Sequence, residues 1–187
     1  MDAFSYLSVL LSIIIGLGVT QVLTAAGRLI RHRDRVRVTW LPVLWACVML
    51  VVYVQVWWSM FGLRGKTDWT FAAFLVVLAQ TATLYMMAAV VLPDEVSESG
   101  VDLGTYYERN RAWFFGFFLA TLVISVLKDV LLSGQLPDAV NLGFHVFFAL
   151  ACISALIVRR WRYHEVLGVT CASAMVTYIA LLFARLH

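Results

Sequence analysis

The residues able to do chemistry in this chain are polar side chains that interrupt long apolar runs. Asn141 and His145 lie four apart in AVNLGFHVFFALAC, so helical spacing puts them on one face together with Cys152. Lys128 and Asp129 stand near the end of the preceding run, Tyr178 in the last run, and Gln55 just before Trp57, Trp58 and Ser59. Gln21 and Gln80 occupy two further runs. An imidazole beside a carboxylate can relay protons or act as a general base held in place by the acid. The short connection between the segments bearing Asp129 and His145 allows those segments to pack side by side. Plainer roles stand beside these. Lys128 can extend its ammonium outward along its own stem, and Asp129 can pair with Lys128, Arg64 or Lys66. The glutamines can bond between helices, and Trp57 and Trp58 can belong to an interfacial aromatic belt.

Other chemistries lack their residues. Haem held between helices needs two axial ligands, and among His32, His145, His164 and His187 only His145 is placed well inside a run. A retinal Schiff base needs a buried lysine in a last helix, and only Lys128 lies in an apolar run. Ser133-Gly134 is too near a segment end to read as an intramembrane serine nucleophile. No GxGxxG, P-loop, HExxH or CxxC occurs. Met86-Met87 has no supporting cluster for copper. Cys47, Cys152 and Cys171 fall singly in different runs, as small buried hydrophobes do. No cofactor and no metal is expected.

The elements that carry these residues follow from composition. The chain is 63% hydrophobic and 13% charged, against roughly 25% charged residues in soluble domains. Its apolar blocks are each long enough to cross a bilayer as a helix, which takes ~20 residues. The expectation is an all-α, polytopic integral membrane protein: one domain over 1–187, with six transmembrane helices in a compact bundle. The spans are predicted at about 4–28, 40–61, 70–92, 112–132, 139–158 and 165–184. Thr39 is the expected cap of the second, Thr67 or Asp68 of the third and Asp138 of the fifth; Ser133-Gly134 should stop the fourth. Thr105-Tyr-Tyr-Glu108 matches a capping box and predicts that the fourth helix begins near Tyr106, ahead of the membrane. The stretch 93–104, with Asp94, Glu95, Glu98 and Asp102, reads as a flexible acidic loop. MDAFSYLS has no basic leader, so the first run reads as a retained span.

Charge sets the expected orientation. Ten of the fourteen basic residues fall in the first, third and fifth turns: Arg28, Arg31, Arg33, Arg35, Arg37, Arg109, Arg111, Arg159, Arg160 and Arg162. The other four are Arg64, Lys66, Lys128 and Arg185. By the positive-inside rule both termini lie on the outer side, in a bacterial inner membrane. Tyr6, Trp40, Trp69, Trp113, Trp161 and Tyr163 sit at the predicted span ends. Ser8, Ser12, Gly16, Thr20 and Thr24 form a strip of small side chains on the first helix. Ala112, Gly116 and Ala120 form another, as do Gly168, Ala172, Ala180 and Ala184. Such strips let helices approach closely, here by packing within the bundle or, alternatively, across a homo-oligomer.

On this topology most intramembrane polar groups share the outer leaflet, and such groups are costly in lipid. A transporter or channel with an outward-facing polar cavity for an ion or small solute is the leading expectation. Its lining is His145, Asp129, Asn141, Gln55, Lys128 and Tyr178. A non-transporting module that senses, assembles or docks a partner is the alternative, with the acidic loop and the arginine turns as contact surfaces. A membrane enzyme acting on a lipid or quinone ranks third, because no nucleophile or metal set accompanies His145. Membrane lipids are the expected surroundings, and anionic headgroups the simplest partners of the arginines. No nucleic-acid partner is expected, since no folded basic domain exists to bind one.

Overall fold

A computed structural model describes residues 3–66 and 68–182. Its helices are α1 (Ala3–Arg31), α2 (Trp40–Met60), α3 (Phe71–Val91), α4 (Leu103–Ser133), α5 (Ala139–Ile157) and α6 (Trp161–Leu182). Six helical segments are long and apolar enough to cross a membrane. They leave large apolar side chains on their outer faces, among them Leu17, Leu23, Val54, Leu75, Leu150 and Val169. Hydrocarbon accepts such a surface and water does not.

Contacts between connections define two ends. At one end Arg28 reaches Asp94, and the Trp40 indole donates to Glu165 Oε1 at 3.1 Å. There the strands β1 (Val36–Arg37) and β2 (Val101–Asp102) form a short parallel ladder, Val36 opposite Val101 and Arg37 opposite Asp102. At the other end the Lys66 ammonium donates to the Leu132 carbonyl at 3.0 Å, satisfying an acceptor that the end of α4 leaves open.

Local chemistry explains most boundaries. Asp138 caps α5, accepting from the backbone N–H groups of Val140 and Asn141 at 3.0 and 3.1 Å. Gly134 ends α4 with φ +71°, a left-handed turn that glycine adopts without strain. Thr39 occupies the N-cap of α2 but makes no side-chain cap bond. For α3 the cap is Thr70, which accepts from Ala73 N at 3.1 Å; Asp68 does not cap it, and Thr67 lies outside the described residues. The capping box at Thr105 is overtaken by Asp102, which accepts from Gly104 N at 2.9 Å, so α4 begins at Leu103. The ladder fixes Asp102 there, with Arg37 3.7 Å from its carboxylate. At roughly 1.5 Å per residue, the 31 residues of α4 are longer than a bilayer core is thick. The sixth helix begins at Trp161, four residues before its predicted start at 165. The end of that span and Arg185 lie outside the described residues.

Two expectations are corrected by packing. The acidic loop is tethered: Gln21 Nε2 donates to Asp94 Oδ1, Arg28 donates to the Asp94 carbonyl, and Ser97 Oγ donates to Gly100 O at 2.7 Å. The small-residue strip of α1 does not face the other helices. Ser12, Gly16 and Thr20 are exposed, and no atom lies within 4 Å of where a Cβ on Gly16 would stand. Gly116 is equally open. The packed face of α1 is Leu11, Ile15, Gly18, Val22, Ala25 and Leu29, whose large aliphatic members supply most of its dispersion contacts. In α6 the strip is divided, with Gly168 buried against Leu41 and Leu44 and Ala180 exposed.

Close approach is instead required at Gly18. The fully buried Tyr53 of α2 crosses α1 there, and any Cβ at Gly18 would overlap its ring and hydroxyl. The Tyr53 hydroxyl then donates to the Leu84 carbonyl of α3 at 2.8 Å, so three helices meet at one side chain. Gly18→Ala is expected to lower stability by about 1–3 kcal/mol, as overpacking does. Gly16→Ala, with open space around it, should be neutral or slightly stabilising. Thermal midpoints of the two variants in one detergent check this contrast.

Candidate functional site

A cavity of roughly 330 Å³ lies among α2, α3, α4, α5 and α6. It reaches one end of the helices at Gly62, Leu63 and Asp129 and runs inward to Met87, Phe118 and Phe148. Gln55, Lys128, Asp129, Asn141, His145 and Tyr178 all border it. Helical periodicity brings them together from four elements. The latter half of α2 supplies Gln55, the end of α4 Lys128 and Asp129, the start of α5 Asn141 and His145, and the last turns of α6 Tyr178.

The hydrogen bonds assign roles. His145 Nδ1 lies 2.9 Å from the Asn141 carbonyl, which can only accept, so Nδ1 carries the proton. Nε2 lies 3.2 Å from the Ser125 hydroxyl, within hydrogen-bond reach. The expected Asp129–His145 pair does not form. Asp129 turns to its neighbour Lys128, 3.7 Å away, and Ser125, one helical turn earlier on α4, takes the imidazole. The Tyr178 hydroxyl donates to Asn141 Oδ1 at 3.1 Å, tying α6 to α5 across the cavity wall. Thr121 donates back to the Phe117 carbonyl and meets Thr83 Oγ1, each at 2.9 Å.

Among the described residues the buried indole N–H groups of Trp45 and Trp58 have no hydrogen-bond partner, and two amides on the cavity wall also lack one. Gln80 is only 7% exposed, and it lines the cavity. Gln55 is half-buried on the same wall. Gln21, by contrast, belongs to the loop tether, and Cys152 is buried past the cavity floor. Trp57 is exposed on the outer surface. No group of three His, Cys, Asp or Glu side chains that could hold a metal occurs among the described residues.

Beyond Phe118 the interior is closed by aromatic rings. Trp45 packs at 5.3 Å centroid distance against both Phe114 and Phe115, and at 6.5 Å against Phe118. Trp45 and Phe115 are each only 1% exposed. These rings separate the cavity from the arginine-bearing end.

No family model matches this chain, no curated protein matches it, and no solved structure matches it.

Sequence reading missed Ser125 and the arginine-end cluster. A signal existed for the first: Thr121, Ser125 and Asp129 recur every four residues along α4, a polar stripe on one face. The second had none, because Tyr107, Arg111 and His164 look like ordinary residues at segment ends. His164, one residue ahead of the span predicted at 165–184, is 2% exposed within the first turn of α6. Its Nε2 donates to the Val158 carbonyl at 2.8 Å, and its Nδ1 accepts from the Tyr107 hydroxyl at 2.9 Å. Arg111 donates to the carbonyls of Ala155, at 2.8 Å, and Val158, closing the C-terminal end of α5. A helix end buried in apolar surroundings needs such a donor. Arg111→Met is expected to destabilise by roughly 2–4 kcal/mol, since charged hydrogen bonds are lost and buried acceptors orphaned. Arg159→Met, at an exposed position, should leave the thermal midpoint unchanged.

Proposed function

We propose that this protein transports a small solute across a membrane, with the cavity facing outward and the arginine turns in the cytosol. One observation carries the reading. Five helices converge polar side chains on a single cavity that reaches one end of the molecule and stops at a buried aromatic layer. Polar groups at membrane depth are otherwise rare and mark solute paths. An outward-open transporter needs such a blind vestibule, and Phe118, which belongs to both cavity wall and aromatic layer, is its inner gate. A second recess at the arginine end is bordered by Glu108, Arg111, Arg159 and His164, which gives the solute an exit on the far side of that layer.

Sidedness rests on the arginine count and is tested by labelling. In a chain with its three native cysteines replaced, Gly62→Cys should react on intact cells with an impermeant maleimide. Arg35→Cys should react only after the membrane is opened. The opposite pattern inverts the orientation.

Transport is tested in proteoliposomes. Urea, glycerol and benzamide are followed by light scattering after an osmotic step; protons, sodium, potassium and chloride are followed by dyes. At least one probe should cross faster than in protein-free vesicles. His145→Ala and Asn141→Leu should slow it by about tenfold, the equivalent of one hydrogen bond of ~1.4 kcal/mol. Val169→Ala, on the outer surface, should leave it unchanged. Equal rates with and without protein for every probe remove the proposal.

A further inference from the structure

We infer that the cavity binds an electrically neutral small molecule, one with an amide, carbonyl or hydroxyl group on an apolar body, rather than an ion. The inference deepens the transport reading and rests on its assumption that the cavity is a solute site.

Charge is the first observation. Among the described residues Lys128 and Asp129 are the only charged side chains bordering the cavity, and they lie 3.7 Å apart, so they neutralise one another. His145 has both ring nitrogens engaged within the protein, Nδ1 on the Asn141 carbonyl and Nε2 at the Ser125 hydroxyl. A bare cation or anion entering this space loses hydration and meets no opposite net charge in return, which is unfavourable for either sign.

The second observation is independent. Gln80 is more than nine-tenths buried, lines the cavity and has no hydrogen-bond partner among the described residues. Gln55 is likewise unpartnered on the same lining. Each amide offers an acceptor oxygen and two donor hydrogens. Such groups complement another amide or carbonyl without adding charge. The unpartnered indoles of Trp45 and Trp58 lie off this lining, whereas Gln80, buried, and Gln55, half-buried, place two open amides on one cavity where an occupant can bond them.

Third, the remaining wall is apolar and polarisable. Leu84, Met87, Phe118, Phe148 and Met175 form the inner part, beyond the polar mouth. A ligand with one polar edge and one apolar body matches that division. The volume, roughly 330 Å³, falls at the small end of ligand pockets.

Three near-isosteric probes separate charge from shape: benzamide, benzoate and benzylammonium. Titration calorimetry on the full chain in detergent should show saturable binding of benzamide at least about tenfold tighter than of either ion. Gln80→Leu should weaken benzamide binding about tenfold or more while the thermal midpoint of the free protein holds or rises. Gln80→Glu should reverse the preference toward benzylammonium; Gln55→Glu makes the same test if the first variant does not fold. The inference is overturned if either ion binds native protein as tightly as benzamide. It is also overturned if no probe binds saturably, or if Gln80→Leu and Gln55→Leu both bind benzamide as the native chain does. Faster flux of an ion in proteoliposomes, combined with ion-selective binding here, would leave transport standing and remove only the neutral-solute assignment.

Discussion

A polar group surrounded by hydrocarbon must find its partner inside the protein, and this structure is arranged around that requirement. The Tyr53 hydroxyl is placed on the Leu84 carbonyl, the Arg111 guanidinium on the open end of α5, and the His164 imidazole between Tyr107 and Val158. Each of these bonds joins elements distant in sequence, so satisfying the polar group also fixes the helix packing. Apolar contacts alone are permissive in a membrane, because lipid tails solvate a leucine about as well as another helix does. Directional bonds supply the uniqueness that burial supplies in water-soluble proteins.

Against that background the exceptions stand out. The Trp45 and Trp58 indoles are two, off the cavity lining; Gln55 and Gln80 are two more, on the same cavity where His145, Ser125, Asn141 and Tyr178 are bonded. The satisfied residues form a rigid frame, since each is held by a bond across helices. The unsatisfied amides are left inside that frame. A site of this kind is pre-organised: the wall is already in place before anything enters, so little ordering is required on binding. The aromatic layer of Trp45, Phe114, Phe115 and Phe118 works differently. Ring contacts are weakly directional, and rotamer changes of one ring can open a path without breaking a hydrogen bond.

The helices were legible in the sequence because a membrane helix announces itself by length and apolarity alone. Cap and stop residues with one function were legible as well, as Asp138 and Gly134 show. The polar side chains that interrupt the apolar runs, Gln55, Asn141, His145 and Tyr178 among them, could be picked out one by one, and they border one cavity. What resisted reading was anything decided between elements. Thr105 made a sound local cap for α4, but ladder pairing at Asp102 intervened. Asp129 and His145 had compatible chemistry, yet the adjacent lysine and a serine one turn away took their places. The glycine that matters, Gly18, lies two positions from the strip that drew notice, because its role is set by where Tyr53 crosses. Periodicity identifies a face; it does not say which face another helix will use.

The ladder between Val36 and Val101 has a consequence for how the chain is made. The first connection has no strand to pair with until the third has been synthesised, with two further helices already inserted. Asp94, the anchor for Gln21 and Arg28, arrives equally late. During translation the opening hairpin therefore waits, its arginines solvated at the membrane surface, until the nascent chain delivers the segment that clasps it. Closure at that end needs residues 94–102 to have been made, well after the opening pair of helices.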